Sequence, residues 1–204
     1  MYLYGANGHG KVVMEIAELN QFVIKGFIDH NKEIIRVLDY KVYHELPENI
    51  ENLFISIGNN IIRKRLYEKY IYLNYPTLIH PKSVVSNYSN VDIGSVIMAS
   101  ATINPMVNIG KLAIINTNAS IDHDCQIGDY VHISPNASLA GNVTVGEGTH
   151  IGIGASVIQN IKIGKWCTIG AGAVIIHDVP DGATVVGNPG RIIKSNQTKT
   201  KRKL

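Results

Sequence analysis

Three polar residues in a row, Asp122-His123-Asp124, form the part of the sequence best suited to acid–base chemistry. A neutral imidazole held by a carboxylate makes a general base poised near neutral pH. Ile121 and Cys125, on either side, fit inward positions, so His123 and Asp124 are expected to face outward near a corner. The alternative is that these three residues form a surface cluster that stabilises the fold and takes no part in catalysis. The two flanking acids favour His123 as a catalytic base.

A second candidate site is the segment Gly5-Ala6-Asn7-Gly8-His9-Gly10, which lies between a predicted strand and a predicted helix. The free N–H groups and the dipole of a helix N-terminus attract anions. Asp29 follows Gly5 by 24 residues, near the spacing at which an acid meets a ribose hydroxyl in dinucleotide folds. Gly58 ends another predicted strand, at the sheet edge where such folds bind ligands. We interpret this edge as a nucleotide-sugar site.

Two other interpretations of the glycine segment stay open. Its spacing is G-x-x-G-x-G and not G-x-G-x-x-G, which weakens a prediction of NAD(P) binding. A tight strand-to-helix turn without a ligand would also use glycines. Such a turn would not need His9, because histidine adds no backbone freedom.

The residues of the first site lie in a long six-residue repeat. From Ile79 to Ile175 an aliphatic residue stands at every sixth position, often with a small residue such as Ala101 or Ala137 two positions before it. A helix needs an apolar spacing near 3.6 and an ordinary strand needs 2, so neither explains the repeat. A strand that turns a corner every six residues does, and three sides make one coil of 18. The sequence therefore predicts a parallel β-helix.

The 18-residue coil predicts which side chains stack, at about 4.8 Å along the axis. Gly141 would stand directly above His123 and leave room beside the imidazole, and Asn142 would stand above Asp124. Two further columns would hold His132, His150 and Thr168, and Pro135, Ile153 and Ala171. A long thin ligand could lie along such columns with its reactive end near His123, although stacked columns exist in every β-helix.

Before the repeat, strands and helices alternate, which predicts a small Rossmann-like parallel sheet. Predicted strands are 2–4, 22–28 and 53–57, with Lys41-Val42-Tyr43 as the strand-like part of the crossover. The first helix would bury Val12, Val13, Ile16, Ala17 and Leu19, and a basic amphipathic helix would cover about 61–72. The change of period predicts a domain over 1–76, a β-helix domain over 77–193 and a basic flexible tail over 194–204.

Charge and hydropathy exclude several classes of partner. The formal charge is +3, but without the four basic residues of 199–203 the chain has 15 basic and 16 acidic residues, so nucleic acid is not expected. No apolar run approaches the roughly 18–20 residues that span a bilayer. The first residues also lack a charged n-region before an apolar stretch, so we expect a cytoplasmic protein.

Metal and thiol chemistry are not expected either. The histidines lack a conventional finger spacing. Cys125 and Cys167 occupy inward positions on different sides of the predicted coil, which disfavours a disulfide and a nucleophilic thiol.

The unbroken repeat and the segment Tyr4-Gly5-Ala6-Asn7-Gly8-His9-Gly10 resemble a family of hexapeptide-repeat sugar acetyltransferases. The subgroup includes the acetyltransferases of the bacillosamine and perosamine pathways and the sialic-acid O-acetyltransferases. The resemblance covers the chain from Tyr4 to about Ile193. It implies a left-handed β-helix and a homotrimer with acetyl-CoA in the groove between neighbouring prisms.

The resemblance also implies roles for single residues. His123 resembles the catalytic base and Asp124 the acid that raises its basicity. The positions that resemble the acetyl-CoA contacts are His132, Gly141, Ile153 and Ala171. Those that resemble the nucleotide-sugar contacts are Asn7, Gly8, His9, Asp29, His30 and Gly58. His30 stands where the bacillosamine enzymes have a second acid, which leaves the identity of the base open.

The sequence thus predicts an acetyl-CoA-dependent N-acetyltransferase. Its acceptor would be a nucleotide-activated 4-amino-4,6-dideoxy sugar, and its product would serve a surface polysaccharide or glycoprotein glycan. The alternatives are O-acetylation of a sialic-acid type sugar, a non-catalytic nucleotide-sugar-binding scaffold and an NAD-linked enzyme.

Overall fold

The structure, a computed structural model, describes residues 1–195. Its N-terminal part is a five-stranded sheet in the order β3-β4-β2-β1-β5, parallel except for the β3–β4 pair. Its elements are β1 Tyr2–Tyr4, α1 Gly8–Leu19, β2 Gly26–Ile28, β3 Arg36–Val37, β4 Tyr40–Tyr43, β5 Leu53–Ile55 and α2 Asn60–Lys69. The alternation and the strand at Lys41-Val42-Tyr43 agree with the sequence analysis. Strand β3 was not predicted, and β2, β5 and α2 are shorter than expected.

The buried face of α1 differs from the prediction at three positions. Val12 and Leu19 are 41% and 48% exposed, whereas Met14 is buried with Val13 and Ile16. The reason is that α1 packs against the β-helix as well as the sheet, in one cluster that includes Leu78, Val96 and Ile114. This cluster joins the two parts of the chain, so the N-terminal part covers one side of the β-helix.

The repeat forms a β-helix of three sheets, whose strands are parallel except for the β23–β24 pair. Sheet I contains β6, β9, β12, β15, β18, β21, β23 and β24, sheet II contains every third strand from β7 to β22, and sheet III every third strand from β8 to β20. The strands are β6 Leu78–Ile79, β7 Val84–Val85, β8 Asn90–Val91, β9 Val96–Ile97, β10 Thr102–Ile103, β11 Asn108–Ile109, β12 Ile114–Ile115, β13 Ser120–Ile121, β14 Gln126–Ile127, β15 His132–Ile133, β16 Ser138–Leu139, β17 Thr144–Val145, β18 His150–Ile151, β19 Ser156–Val157, β20 Lys162–Ile163, β21 Thr168–Ile169, β22 Val174–Ile175, β23 Thr184–Val186 and β24 Arg191–Lys194.

The register between coils is the predicted 18 residues up to Ile175, whereas the last coil is two residues shorter and pairs Thr168 with Thr184. Ile103 pairs with Ile121, and Ile133 pairs with Ile151. The aliphatic residues fill the core, apart from the partly buried first coil, and small residues such as Ala137 complete it. Both cysteines are buried, on sheets III and I.

The corners use a backbone conformation that matters for the site. Ten non-glycine residues between Ser100 and Trp166 have φ of 51–64°, and they mark successive corners of the coil. This left-handed region suits Asn and Asp, whose short polar side chains tolerate it. Asp124 is one of these residues, with φ 61°.

The last strand lies at the predicted boundary between the β-helix and the tail. Strand β24 pairs antiparallel with β23 as far as Lys194, the first residue of the predicted tail. The rest of the predicted tail, 196–204, lies outside the described residues. Across the part of the chain that is described, no helix has the length and apolar character needed to span a membrane.

Candidate active site

His123 lies at the corner between sheets II and III, after β13 and before β14. Its Nδ1 is 2.7 Å from Asp124 Oδ2. Because a carboxylate only accepts, Nδ1 carries the proton and Nε2 is the nitrogen that can act as a base. The hydrogen bond that Nδ1–H donates to Asp124, followed by the negative charge of Asp122, raises the pKa of His123. The side chain is 59% exposed, so a substrate can reach it.

Asp122 supports the same corner from the other side. Its Oδ1 accepts the His123 backbone N–H at 2.8 Å and the amide of Asn104, one coil below, at 2.7 Å. These two hydrogen bonds, with Asn104 the larger cause, lower the pKa of Asp122. Its Oδ2 lies 3.9 Å from His123 Nε2. Asp122 is therefore an anion with one oxygen fixed by hydrogen bonds and the other on the side of His123 Nε2.

Gly141 provides the space that the imidazole occupies. A Cβ at this position would lie 2.6 Å from both Cε1 and Nε2 of His123. The next residue, Asn142, donates its N–H to the His123 carbonyl at 2.8 Å. The predicted stacking of Gly141 above His123 is therefore confirmed, and no other residue type fits beside this ring without displacing it.

The glycine loop leaves the N-terminus of α1 open. The Asn7 side chain makes no capping hydrogen bond, and no atom lies within 4 Å of a Cβ built on Gly8. The first N–H groups of the helix are therefore available to an anion. Gly5 has φ 116°, which suits glycine, and here it brings the loop close to Ser56.

Asp29 holds this loop in place. Its Oδ2 accepts the Ala6 N–H at 2.9 Å and its Oδ1 accepts the Asn31 N–H at 3.0 Å. Both oxygens thus have backbone partners, so the contacts in the structure fix the loop, and a ribose contact stays a prediction.

His30 has a hydrogen-bond partner that the sequence analysis missed. Its Nε2 is 2.8 Å from the Tyr4 hydroxyl. Burial raises the pKa of Tyr4 to about 12, so the phenol keeps its proton and is donor or acceptor in this hydrogen bond according to the tautomer of His30. The sequence places Tyr4 in a strand and in the glycine motif, but neither pattern indicates that its hydroxyl reaches His30.

Three histidines lie together between the glycine loop and sheet I. The rings of His132 and His150 stack at 4.8 Å, and His9 lies 6.4 Å from His132. Burial lowers the pKa of His9 to about 4 and that of His132 to about 3. His9 Nε2 is buried without a hydrogen-bond partner among residues 1–195. Since such an atom costs about 1–3 kcal/mol, a ligand or a bound water is expected there.

Arg63, which the sequence analysis did not single out, joins the loop after β5 to the β-helix. It is only 1% exposed. Its guanidinium donates to five backbone carbonyls at 2.8–3.4 Å: Ile57, Gly58, Leu112, Tyr130 and Val131. Burial lowers its pKa to about 9. A basic amphipathic helix gives no indication that one of its arginines is buried.

The predicted site residues form three groups in one chain. His123, Asp124 and Gly141 meet at the corner between sheets II and III. His132 lies with His9 and Gly58 beside sheet I, which is opposite that corner in a three-sided prism. The third group, Ile153 and Ala171, stacks at the corner between sheets I and II. The four predicted acetyl-CoA contacts therefore do not form one cluster within a single chain, because only residues 18 apart stack.

Two family models and several solved structures are similar to this chain. Residues 1–70 match the family model of the PglD N-terminal domain, and residues 142–177 match that of the bacterial transferase hexapeptide (six repeats). The acetyltransferase domain of PglB from Neisseria gonorrhoeae is 38% identical with a TM-score of 0.87, over 94% of this chain and 98% of that one. It has also been solved with acetyl coenzyme A.

Two further structures are similar over the same length. PerB from Caulobacter crescentus, solved with CoA and GDP-perosamine, is 35% identical with a TM-score of 0.90, over 95% of this chain and 96% of that one. WeeI from Acinetobacter baumannii is 30% identical with a TM-score of 0.80, over 94% and 98%. The expected fold, an α/β domain followed by a left-handed parallel β-helix, is confirmed by these matches. The chain belongs to the family of hexapeptide-repeat acetyltransferases that carry a PglD-type N-terminal domain.

Proposed function

We propose that the protein is an acetyl-CoA-dependent N-acetyltransferase whose acceptor is a nucleotide-linked 4-amino-4,6-dideoxy sugar. The product would serve a surface polysaccharide or a glycoprotein glycan. The observation that carries the proposal is the His123 corner, where a fixed Nδ1–H, a free Nε2 and the space at Gly141 occur together. The similarity to the Caulobacter enzyme, solved with CoA and GDP-perosamine, supports the choice of substrates.

In this mechanism the amine of the sugar attacks the thioester carbonyl directly, and acetyl-CoA supplies that thioester. His123 Nε2 accepts a proton from the amine nitrogen as the tetrahedral intermediate forms. Asp124, which already holds Nδ1–H at 2.7 Å, stabilises the resulting imidazolium. Positioning supplies much of the remaining rate enhancement, because two bound substrates react as if in one molecule.

The active form would be a homotrimer. The glycine loop and His123 lie on opposite sides of one chain, so a sugar bound at the loop of one copy must reach His123 of another. His132, Ile153 and Ala171 are acetyl-CoA contacts of this shared site in the proposal. A cytoplasmic location and the domain bounds 1–76 and 77–193 remain predictions.

Subunit mixing tests the shared site. His123→Ala and His9→Ala should each be inactive alone, because each removes one half of every site. Random co-assembly should restore about one quarter of the sites, since neighbouring copies can then each supply an intact half. Equal inactivity of the mixture, with mixed trimers isolated through a different affinity tag on each variant, would contradict a site built from two copies.

The acceptor is identified by an acetyl-transfer screen of UDP-, dTDP- and GDP-linked 4-amino sugars. The release of free thiol from acetyl-CoA is the measured signal. The parent 4-hydroxy sugars are included, because transfer to them would favour the O-acetyltransferase alternative. Titration calorimetry with acetyl-CoA separates both enzymes from a scaffold, which should not bind it. His123→Ala is the control, with turnover expected to fall by about 10²–10⁴-fold.

A further inference from the structure

An amine acceptor presents a proton problem that one histidine does not solve. Aliphatic amines are largely protonated at neutral pH, and the ammonium form has no lone pair with which to attack. The nitrogen must lose one proton to become a nucleophile and a second to become an amide. His123 Nε2 has room for one of these protons.

The corner contains a second acceptor beside Nε2. Asp122 Oδ2 lies 3.9 Å from His123 Nε2, which is too long for a direct hydrogen bond. Neither atom has a hydrogen-bond partner within residues 1–195, whereas Asp122 Oδ1 and His123 Nδ1 are both held by neighbours. Two acceptors 3.9 Å apart are close enough for one nitrogen to donate a hydrogen bond to each of them.

We propose, on the basis of the function proposed above, that Asp122 is a specificity-determining residue that binds the ammonium form of the acceptor. One N–H of the ammonium donates to Asp122 Oδ2 and a second donates to His123 Nε2. A hydroxyl acceptor carries no charge and gains little from this carboxylate. Asp122 therefore favours transfer to nitrogen over transfer to oxygen.

The proton balance of the reaction is then complete. His123 Nε2 takes the proton whose loss frees the lone pair, in step with attack on the carbonyl carbon. The C–N bond forms and the C–S bond breaks. Of the two protons left on the nitrogen, one leaves with the thiolate as free thiol and the other remains as the amide N–H. Asp122 stays ionised throughout, and its Oδ2 is free again once the product leaves. The imidazolium of His123 then releases its proton to solvent.

A substitution can remove this charge and keep the local structure. In Asp122→Asn the amide oxygen still accepts from the His123 N–H and from Asn104, so the corner keeps the two hydrogen bonds that shape it. Only the anionic Oδ2 is replaced. The matched control is Asp129→Asn, at a corner between sheets III and I, where the carboxylate also accepts a backbone N–H, that of Lys111 at 3.1 Å.

The experiment measures the Kd of two ligands for each protein by calorimetry. The first is the nucleotide-linked 4-amino sugar that the wild-type protein acetylates in the screen, and the second is its 4-hydroxy parent. Asp122→Asn should weaken binding of the amino sugar by about 10- to 100-fold, the loss typical of one hydrogen bond between charged groups. Binding of the hydroxy parent should change by less than about twofold, and Asp129→Asn should change neither.

Each other outcome overturns the inference. Equal weakening of both ligands would assign Asp122 a structural role, and unchanged binding of the amino sugar would remove it from recognition. If the wild-type protein acetylates no amino sugar in the screen, the proposed function itself fails. The two failures are therefore distinguishable.

Discussion

Gly141→Ala tests the geometry of the base directly. The added Cβ would lie 2.6 Å from two ring atoms of His123, where ordinary contacts begin at 3.4 Å. The ring must therefore move by about 0.8 Å, and it can do so because it is exposed and flexible. A displacement of about 1 Å at a reacting group costs about 10²-fold in rate, so kcat/KM should fall by that factor. The thermal midpoint should stay within about 2 °C, because no buried group is disturbed.

The assay is steady-state thiol release with the acceptor found in the screen. The matched control introduces Gly141→Ala into the His123→Ala background, where no ring remains for the new methyl group to displace. There the substitution should have no further effect, so the two changes should be strongly non-additive. The reasoning is refuted if Gly141→Ala retains more than about half of wild-type kcat/KM, or if it lowers activity equally in both backgrounds.

Three further predictions concern charge and protonation. Asp124→Asn, which suits the positive φ at this corner, should move the acidic limb of the kcat/KM–pH profile to lower pH, because the raised pKa of His123 loses its main cause. Arg63→Met should lower the urea-derived free energy of unfolding by about 2 kcal/mol or more, whereas exposed Arg65→Met should not. Stability should fall between pH 6.5 and pH 4 by up to about 1.4 kcal/mol per pH unit for each of His9 and His132. In that window the two histidines are protonated in the unfolded chain but neutral in the folded protein. His132→Asn should therefore reduce the slope of the free energy of unfolding against pH.

The sequence predicts the β-helix and part of the site because the six-residue spacing of its aliphatic residues is the spacing of the inward-facing core positions. An inward position at every sixth residue fixes the register, and the register alone places Gly141 above His123. The 18-residue coil length also separates His123 from His132. The two residues are nine positions apart, which is half of one coil, so they lie on opposite sides of the prism. The family resemblance places His123 and His132 in one proposed site. Within a single chain they are far apart, because their position along the coil decides where they lie.

Other features depend on packing between the two parts of the chain, which periodicity does not record. Arg63 is indistinguishable in sequence from its exposed neighbour Arg65, yet it is the one that reaches the carbonyls of Leu112 and Tyr130. Met14 replaces Leu19 in the buried face of α1 because the β-helix approaches from that side. Asp29 looks like a ligand residue by spacing, and the structure shows that its oxygens hold the loop.

His132 and His123 lie in different environments, and these environments suit them to different roles. His132 Nε2 accepts from the Asn116 amide at 3.2 Å, and burial lowers its pKa to about 3. Its basic nitrogen is therefore occupied, and the ring stays neutral across the physiological range. His123 has the opposite environment: it is exposed, its Nδ1 is held by a carboxylate and its pKa is raised. Because His132 lies beside the glycine loop with its Nε2 occupied, it does not compete with His123 for the role of base in the proposed mechanism.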